Sequence, residues 1–144
     1  MNSISETKAC LESILEFDLP IGVSFVLKNS EELLSREKLI DAILMIGDYD
    51  VDCLLLNCNP LDRTSKAMKI ISKNWKKEWG IYPNLGIGEP SPDGIINNIY
   101  PEQEFVYTIN RAKELGASIL GGCCGSNENH IKIIKQNNYR NKTS

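Results

Sequence analysis

The chain has 144 residues, of which 42% are hydrophobic and 24% charged, with a net charge of -3. This length allows one domain with its own core, and the composition is ordinary for a soluble globular protein. The acidic balance argues against a nucleic-acid-binding protein, and no apolar stretch approaches the ~20 residues that span a bilayer. The polar start, MNSISETK, differs from a secretory signal, so we expect a cytoplasmic protein.

Helical and strand-like patterns alternate along the chain. Apolar residues at helical spacing predict helices over residues 5–17, 35–50, 60–77, 102–116 and 127–138. Short apolar runs predict buried strands over residues 19–27, 51–58, 79–84 and 117–122. Ser5 is the predicted N-cap of the first helix, and Gly47 lies at the predicted end of the second. Residues 85–101 form a long glycine- and proline-rich loop, and residues 139–144 are predicted to be a frayed tail.

This alternation determines the predicted fold class. Apolar strands separated by helices indicate βαβ units and a parallel sheet of the α/β class. The spacing of the strand ends is compatible with a (β/α)8, or TIM, barrel, in which one unit averages roughly 31 residues. Only four such units follow the leading helix. We therefore predict a partial barrel that forms a single domain over residues 1–144.

The cysteines are the residues with the most distinctive chemistry. They number five and stand at Cys10, Cys53, Cys58, Cys123 and Cys124. An odd number of unevenly spaced cysteines is not typical of the disulfide framework of a secreted protein, so we expect reduced thiols. Reduced thiols serve as small buried side chains or as metal ligands and nucleophiles. Cys10 and Cys53 are predicted to be small core residues.

The other three cysteines stand where predicted strands end. Cys58 ends the second strand, and Cys123 and Cys124 follow the fourth within the run GGCCG. Functional groups of parallel sheets gather at the carboxyl ends of the strands, and alternate barrel strands contribute to one interior layer. Three thiolates that leave one coordination position open suit Zn²⁺ with an exogenous ligand. The pattern therefore predicts a zinc site, with burial as small core residues as the alternative.

Two asparagines and the single histidine are further candidates. Asn57 and Asn84 stand at strand ends, where they could orient ligands or substrate, or could bind strand-end backbone groups. They are the weaker candidates for substrate binding. His130 stands in the first turn of the last predicted helix, where we favour a structural hydrogen bond over catalysis.

The chain resembles the homocysteine S-methyltransferase family. The matching runs, in order, are PIGVSF, VDCLLLNC, IYPNLG and ELGASILGGCCG, followed by HI. The resemblance implies that Cys58, Cys123 and Cys124 bind zinc, and that homocysteine binds this zinc through its thiolate and is methylated to methionine. The methyl donor is left open among S-methylmethionine, S-adenosylmethionine, betaine and a methylcobalamin or folate system.

The resemblance covers only the second half of the family barrel. In the family, the first and fourth strands carry residues that hold the amino-acid group of homocysteine, including a Glu-Thr pair; Glu6 and Thr7 here belong to the first predicted helix. Three hypotheses follow. The chain is a zinc-dependent methyltransferase or its C-terminal part, an inactive zinc-binding half-barrel that associates with itself or with a complementary N-terminal half, or a barely stable truncated product. Association is expected because a half-barrel exposes two sheet edges.

Overall fold

A computed structural model describes residues 1–88, 91, 93–96 and 98–140 of the chain, with side chains up to residue 136. Helices and strands alternate over this part, as the sequence predicts. The helices are α1 (Ile4–Ile14), α2 (Leu39–Ile46), α3 (Leu61–Asn74), α4 (Glu102–Glu114) and α5 (Glu128–Arg140). The strands are β1 (Gly22–Phe25), β2 (Cys53–Pro60), β3 (Glu78–Asn84) and β4 (Ile119–Leu120).

The strands form one parallel sheet in the order β1-β2-β3-β4. The helices pack against one another in chain order, α1 on α2, α2 on α3, α3 on α4 and α4 on α5. A parallel sheet in sequential order with a helix after each strand is the arrangement of a (β/α)8 barrel. The structure therefore confirms the predicted fold class, a half-barrel of about four strand–helix units.

The core lies between the sheet and the helices. Alternate strand residues are fully buried on that side: Val23, Phe25, Leu54, Leu56, Trp79 and Ile81. The opposite side, here called the inner face, carries Ser24, Leu55, Gly80 and Ile119 in one register row. Ser24, Leu55 and Ile119 are only half-buried. In a closed barrel such residues fill the interior. In this half-barrel the same face is partly exposed.

Three details differ from the sequence predictions. Ser3, and not Ser5, caps α1, because the Ser3 side chain accepts a 3.0 Å hydrogen bond from the Glu6 N–H. Cys10 and Cys53 are half-buried and are not core residues. Cys53 alternates with the buried Leu54 along β2, which places it on the inner face. The predicted end of the second helix at Gly47 is confirmed.

The C-terminal helix α5 runs to Arg140. Residues 141–144, which make up most of the tail expected to fray, lie outside the described residues, so the frayed tail stays a prediction. Within the part of the chain that the structure describes, no helix combines the length and apolarity needed to cross a membrane.

Candidate metal centre

The end of β2 positions the first of the three thiols. Cys58 has φ of 53°, in the left-handed region that non-glycine residues adopt uncommonly. The register between β2 and β3 also shifts between Asn57 and Pro60. This local irregularity takes Cys58 out of the regular alternation of the strand. Sparsely populated backbone conformations of this kind cluster at functional sites.

The turn after β4 positions the other two thiols. The Cys123 N–H donates to the Pro83 carbonyl at 2.9 Å, and the Leu85 N–H donates to the Cys124 carbonyl at 2.9 Å. The two cysteines are thereby bonded to the end of β3, which lies between β2 and β4. Gly125 turns the chain at φ of 77°, which glycine adopts without steric cost.

These elements bring the three predicted ligands together. The Cys58 and Cys124 Sγ atoms lie 3.4 Å apart, and the Cys123 and Cys124 Sγ atoms 3.9 Å apart. All three sulfurs lie within 4.8 Å of one another. Tetrahedral zinc with Zn–S bonds of about 2.3 Å separates its sulfur ligands by about 3.8 Å. The thiol set therefore fits a soft, tetrahedral metal ion with small adjustments, and it leaves one coordination position for a further ligand.

The environment of these thiols favours the protonated form when no metal is bound. Burial is the main cause that raises the pKa of the Cys58 thiol. The neighbouring Cys58 thiol, followed by burial, raises the pKa of Cys124. A metal ion must therefore displace protons from both groups, so that metal binding weakens as the pH falls below these raised pKa values.

A polar cavity of about 300 Å³ opens beside the thiol cluster. Its lining includes Cys58, Asp62, Arg63, Asn84 and Tyr100. The Asn84 side-chain oxygen already accepts a hydrogen bond from the Gly86 N–H at 2.7 Å. The structure thus places this candidate next to a cysteine. The role of Asn84 in substrate binding stays a prediction.

The other candidate asparagine lies away from this cavity wall. Asn57 is half-buried on β2 and pairs in register with Tyr82 of β3. The cavity lining just described does not include it. Its role in substrate binding also stays a prediction.

Asn59 is the residue at this site that sequence reasoning missed. It is buried, its side-chain oxygen accepts from the Leu27 N–H at 2.7 Å, and its Nδ2 donates to the Phe25 carbonyl at 3.2 Å. One side chain thus joins the ends of β1 and β2 immediately after Cys58. The available signal was the Asn-Pro pair at a strand-to-helix junction, because such side chains commonly bind turn backbone.

We expect Asn59→Ala to lower the free energy of unfolding by about 2–4 kcal/mol, because it leaves a buried N–H and a buried carbonyl unpaired. Asn57→Ala, two residues earlier and half-buried, is the matched control and should cost less than about 1 kcal/mol. Urea denaturation followed by circular dichroism measures both. Equal effects of the two substitutions would show that the hydrogen bonds of Asn59 do not stabilise the fold.

His130 has the structural role that the sequence favours. Its ring is buried, its Nδ1 accepts from the Asn127 N–H at 3.1 Å, and it meets the Phe105 ring edge-on at 5.0 Å. It therefore ties the start of α5 to α4, behind the turn that carries the two adjacent cysteines.

The fold and the thiol cluster together define a class: a half-barrel of the (β/α)8 type with a candidate soft-metal site at the carboxyl ends of its strands. Sequence comparison identifies the family. Residues 1–137 match the family described as Homocysteine S-methyltransferase, and the chain belongs to this family. The resemblance drawn from the sequence is therefore confirmed.

Individual relatives agree with this assignment. The chain is 27% identical over 139 residues to "Homocysteine S-methyltransferase 1" of Brassica oleracea var. italica. This match covers 91% of this chain and 42% of the relative. It is 23% identical over 133 residues to "Homocysteine S-methyltransferase YbgG" of Bacillus subtilis, with the same two coverages of 91% and 42%. The oxidized form of the homocysteine methyltransferase MmuM from Escherichia coli superposes with a TM-score of 0.78 and 25% identity, over 95% of this chain and 43% of MmuM. The chain thus spans less than half the length of these relatives.

Proposed function

We propose that the chain supplies the zinc-binding half of a homocysteine S-methyltransferase, which methylates the thiolate of homocysteine to give methionine. The observation that carries this proposal is the convergence of Cys58, Cys123 and Cys124, whose sulfurs lie within 4.8 Å of one another. Membership of the family supplies the reaction class. We also assign the protein to the cytoplasm, where reducing conditions keep thiols free, as the five cysteines are here.

The proposed chemistry needs a sulfur nucleophile at neutral pH. Zinc held by the three cysteines would bind the homocysteine sulfur at its open position and favour its thiolate form. An electron pair of the homocysteine sulfur would form the new S–CH3 bond while the bond between the donor and that methyl group breaks. The donor leaves with the electron pair of the broken bond.

The residues beside the cluster would hold the polar parts of the reactants. Asp62, Arg63 and Asn84 line the cavity next to Cys58, and they offer an anion, a cation and an amide. An amino acid such as homocysteine carries both an ammonium and a carboxylate, which these groups can bind. Asn57, on the inner face, remains the second substrate-binding candidate.

Two observations favour a second function. The inner face is only half-buried, and the chain covers about 42% of its curated relatives. A metal-binding half-barrel without activity of its own, associated with itself or with a complementary N-terminal half, would have these properties.

The test measures zinc content and methionine formation on the purified chain. We expect one zinc per chain, and turnover of homocysteine with S-methylmethionine, S-adenosylmethionine, betaine or a methylcobalamin or folate donor if the chain acts as the enzyme. One zinc without turnover supports the inactive half-barrel. Zinc-free protein whose Cys58, Cys123 and Cys124 are all alkylated in the folded state contradicts both functions.

A further inference from the structure

The long loop between β3 and α4 forms a short antiparallel ribbon at its base. Three backbone pairings hold this ribbon together: Gly86 with Ile99, the Ile87 N–H with the Asn98 carbonyl at 2.9 Å, and the Tyr100 N–H with the Leu85 carbonyl at 2.7 Å. We call residues 85–87 and 98–100 the loop ribbon. Long loops in compact domains are often functional, so the neighbours of this ribbon bear on the role of the loop.

The loop ribbon contacts the turn that carries Cys123 and Cys124. The Leu85 N–H donates to the Cys124 carbonyl at 2.9 Å. A Cβ added at Gly125 would lie 3.2 Å from the Ile99 Cγ2 atom and 3.2 Å from the Leu85 Cβ atom. Both side chains therefore pack closely against Gly125, on the side where any other residue would carry its Cβ. The ribbon thus holds this turn by one hydrogen bond and by a packing contact from each of its two strands.

The turn needs this support because its own backbone is conformationally free. Gly125 directly follows Cys124 and has φ of 77°, and glycine changes backbone conformation more readily than any other residue. Cys124 is also the most exposed member of the thiol cluster. Rotation of the backbone at Gly125 would move the peptide group that Leu85 binds. The Cys124 sulfur would then leave its position 3.4 Å from the Cys58 sulfur.

Ile99 is the side chain of this contact whose role can be separated from folding. Leu85 is fully buried and belongs to the core, whereas Ile99 is 48% exposed. Shortening an exposed side chain opens no cavity in the core, so it costs little free energy of unfolding. An effect of such a change on the metal centre would therefore arise from the contact with Gly125.

We propose that Ile99 is a positioning residue of the candidate metal centre. Its Cγ2 methyl packs against Gly125 and thereby fixes the backbone that carries the Cys124 sulfur. The proposal rests on the proposed function, since it concerns how the thiol cluster keeps the geometry that a metal ion requires. The loop between β3 and α4 then has a task at the metal centre, in addition to lining the neighbouring cavity with Gly86 and Tyr100.

Metal affinity reports this positioning. A site that adopts its metal-binding geometry for about a tenth of the time binds the metal about tenfold more weakly, because only that fraction of the molecules is competent. Groups that orient a metal ligand from outside the coordination shell commonly change metal affinity about 10- to 100-fold. We therefore expect Ile99→Ala, which removes the Cγ2 methyl, to weaken metal binding by about tenfold or more.

The first measurement titrates cobalt(II) into the 144-residue chain and its variants, because the visible absorption of cobalt reports coordination geometry as well as affinity. We expect Ile99→Ala to bind about tenfold more weakly and to show a changed spectrum at saturation. Ile99→Val retains the Cγ2 methyl and should match the unmodified chain. Ile87→Ala is the matched control, because Ile87 lies on the same ribbon and is similarly exposed, at 46%. Circular dichroism verifies that each variant is folded.

A second measurement needs no metal. The Leu85 N–H is bonded to the Cys124 carbonyl, so its hydrogen exchange reports how often the turn separates from the ribbon. In the metal-free chain we expect Ile99→Ala to accelerate exchange at the Leu85 amide by at least about tenfold, and Ile87→Ala to leave it unchanged.

Three results would overturn the proposal: a folded Ile99→Ala with the cobalt affinity and spectrum of the unmodified chain, equal losses in Ile99→Ala and Ile87→Ala, or a loss in Ile99→Val as large as in Ile99→Ala. The proposed function fails in a different way, because an unmodified chain that binds neither zinc nor cobalt refutes the metal centre itself. In that case the Leu85 exchange still decides whether Ile99 holds the turn, and unchanged exchange in Ile99→Ala overturns the positioning role as well.

Discussion

Replacing Cys58 with serine should abolish stoichiometric zinc binding. Cys58 is the proposed ligand on β2, and its sulfur lies 3.4 Å from that of Cys124. A serine hydroxyl remains protonated near neutral pH and is a poor ligand for a soft site, so the variant keeps only the adjacent pair on the β4 turn. Loss of an outer-shell partner of a metal ligand already lowers affinity 10- to 100-fold, so loss of a ligand should exceed about 100-fold.

The matched control is Cys53→Ser, on the same strand. Cys53 is half-buried on the inner face and is not part of the thiol cluster. Competition with a chelating dye measures zinc affinity for both variants, and circular dichroism verifies that each one is folded. Unchanged affinity in folded Cys58→Ser, or an equal loss in Cys53→Ser, would remove Cys58 from the ligand set.

The sequence was most informative where chemistry and periodicity agreed. Each predicted strand and helix overlaps an observed one, because apolar alternation and helical spacing reflect burial on one side of the sheet. The convergence of Cys58 with Cys123 and Cys124 was predictable from strand order alone. Parallel strands bring their carboxyl ends to the same edge of the sheet. Only one strand, β3, lies between β2 and β4.

The sequence was less informative where tertiary context decides. Cys53 was predicted to lie in the core, but in a half-barrel its side of the strand is only half-covered. The bridging role of Asn59 depends on Leu27 and Phe25, which are distant in sequence and become adjacent only after folding. The contacts of Met1 with the Ser24 carbonyl and the Val26 N–H also give no periodic signal, since a single residue makes them. Pairwise contacts of this kind leave no pattern in a single sequence.

The position of β4 depends on the close contact between Gly80 and Ile119. This contact links the stability of the fold to the geometry of the candidate metal site. In the ladder between β3 and β4, Gly80 lies opposite Ile119 and Ile81 lies opposite Leu120. A Cβ at position 80 would overlap the Ile119 carbonyl oxygen and lie 2.5 Å from the Ile119 Cβ. These atoms belong to backbone or to a β-branched side chain and cannot rotate away, so β4 must shift to accommodate it.

We therefore expect Gly80→Ala to lower the free energy of unfolding by about 3 kcal/mol and to weaken zinc binding at least about tenfold. The second effect follows because the turn after β4 carries Cys123 and Cys124, which move relative to Cys58 when the strand shifts. Gly88→Ala is the control: its Cβ would meet nothing within 4 Å, and its φ of 78° should cost only about 1 kcal/mol. Urea unfolding and zinc titration of both variants test this coupling, and a Gly80→Ala protein with normal zinc affinity would show that the pairing of β4 does not position the thiols.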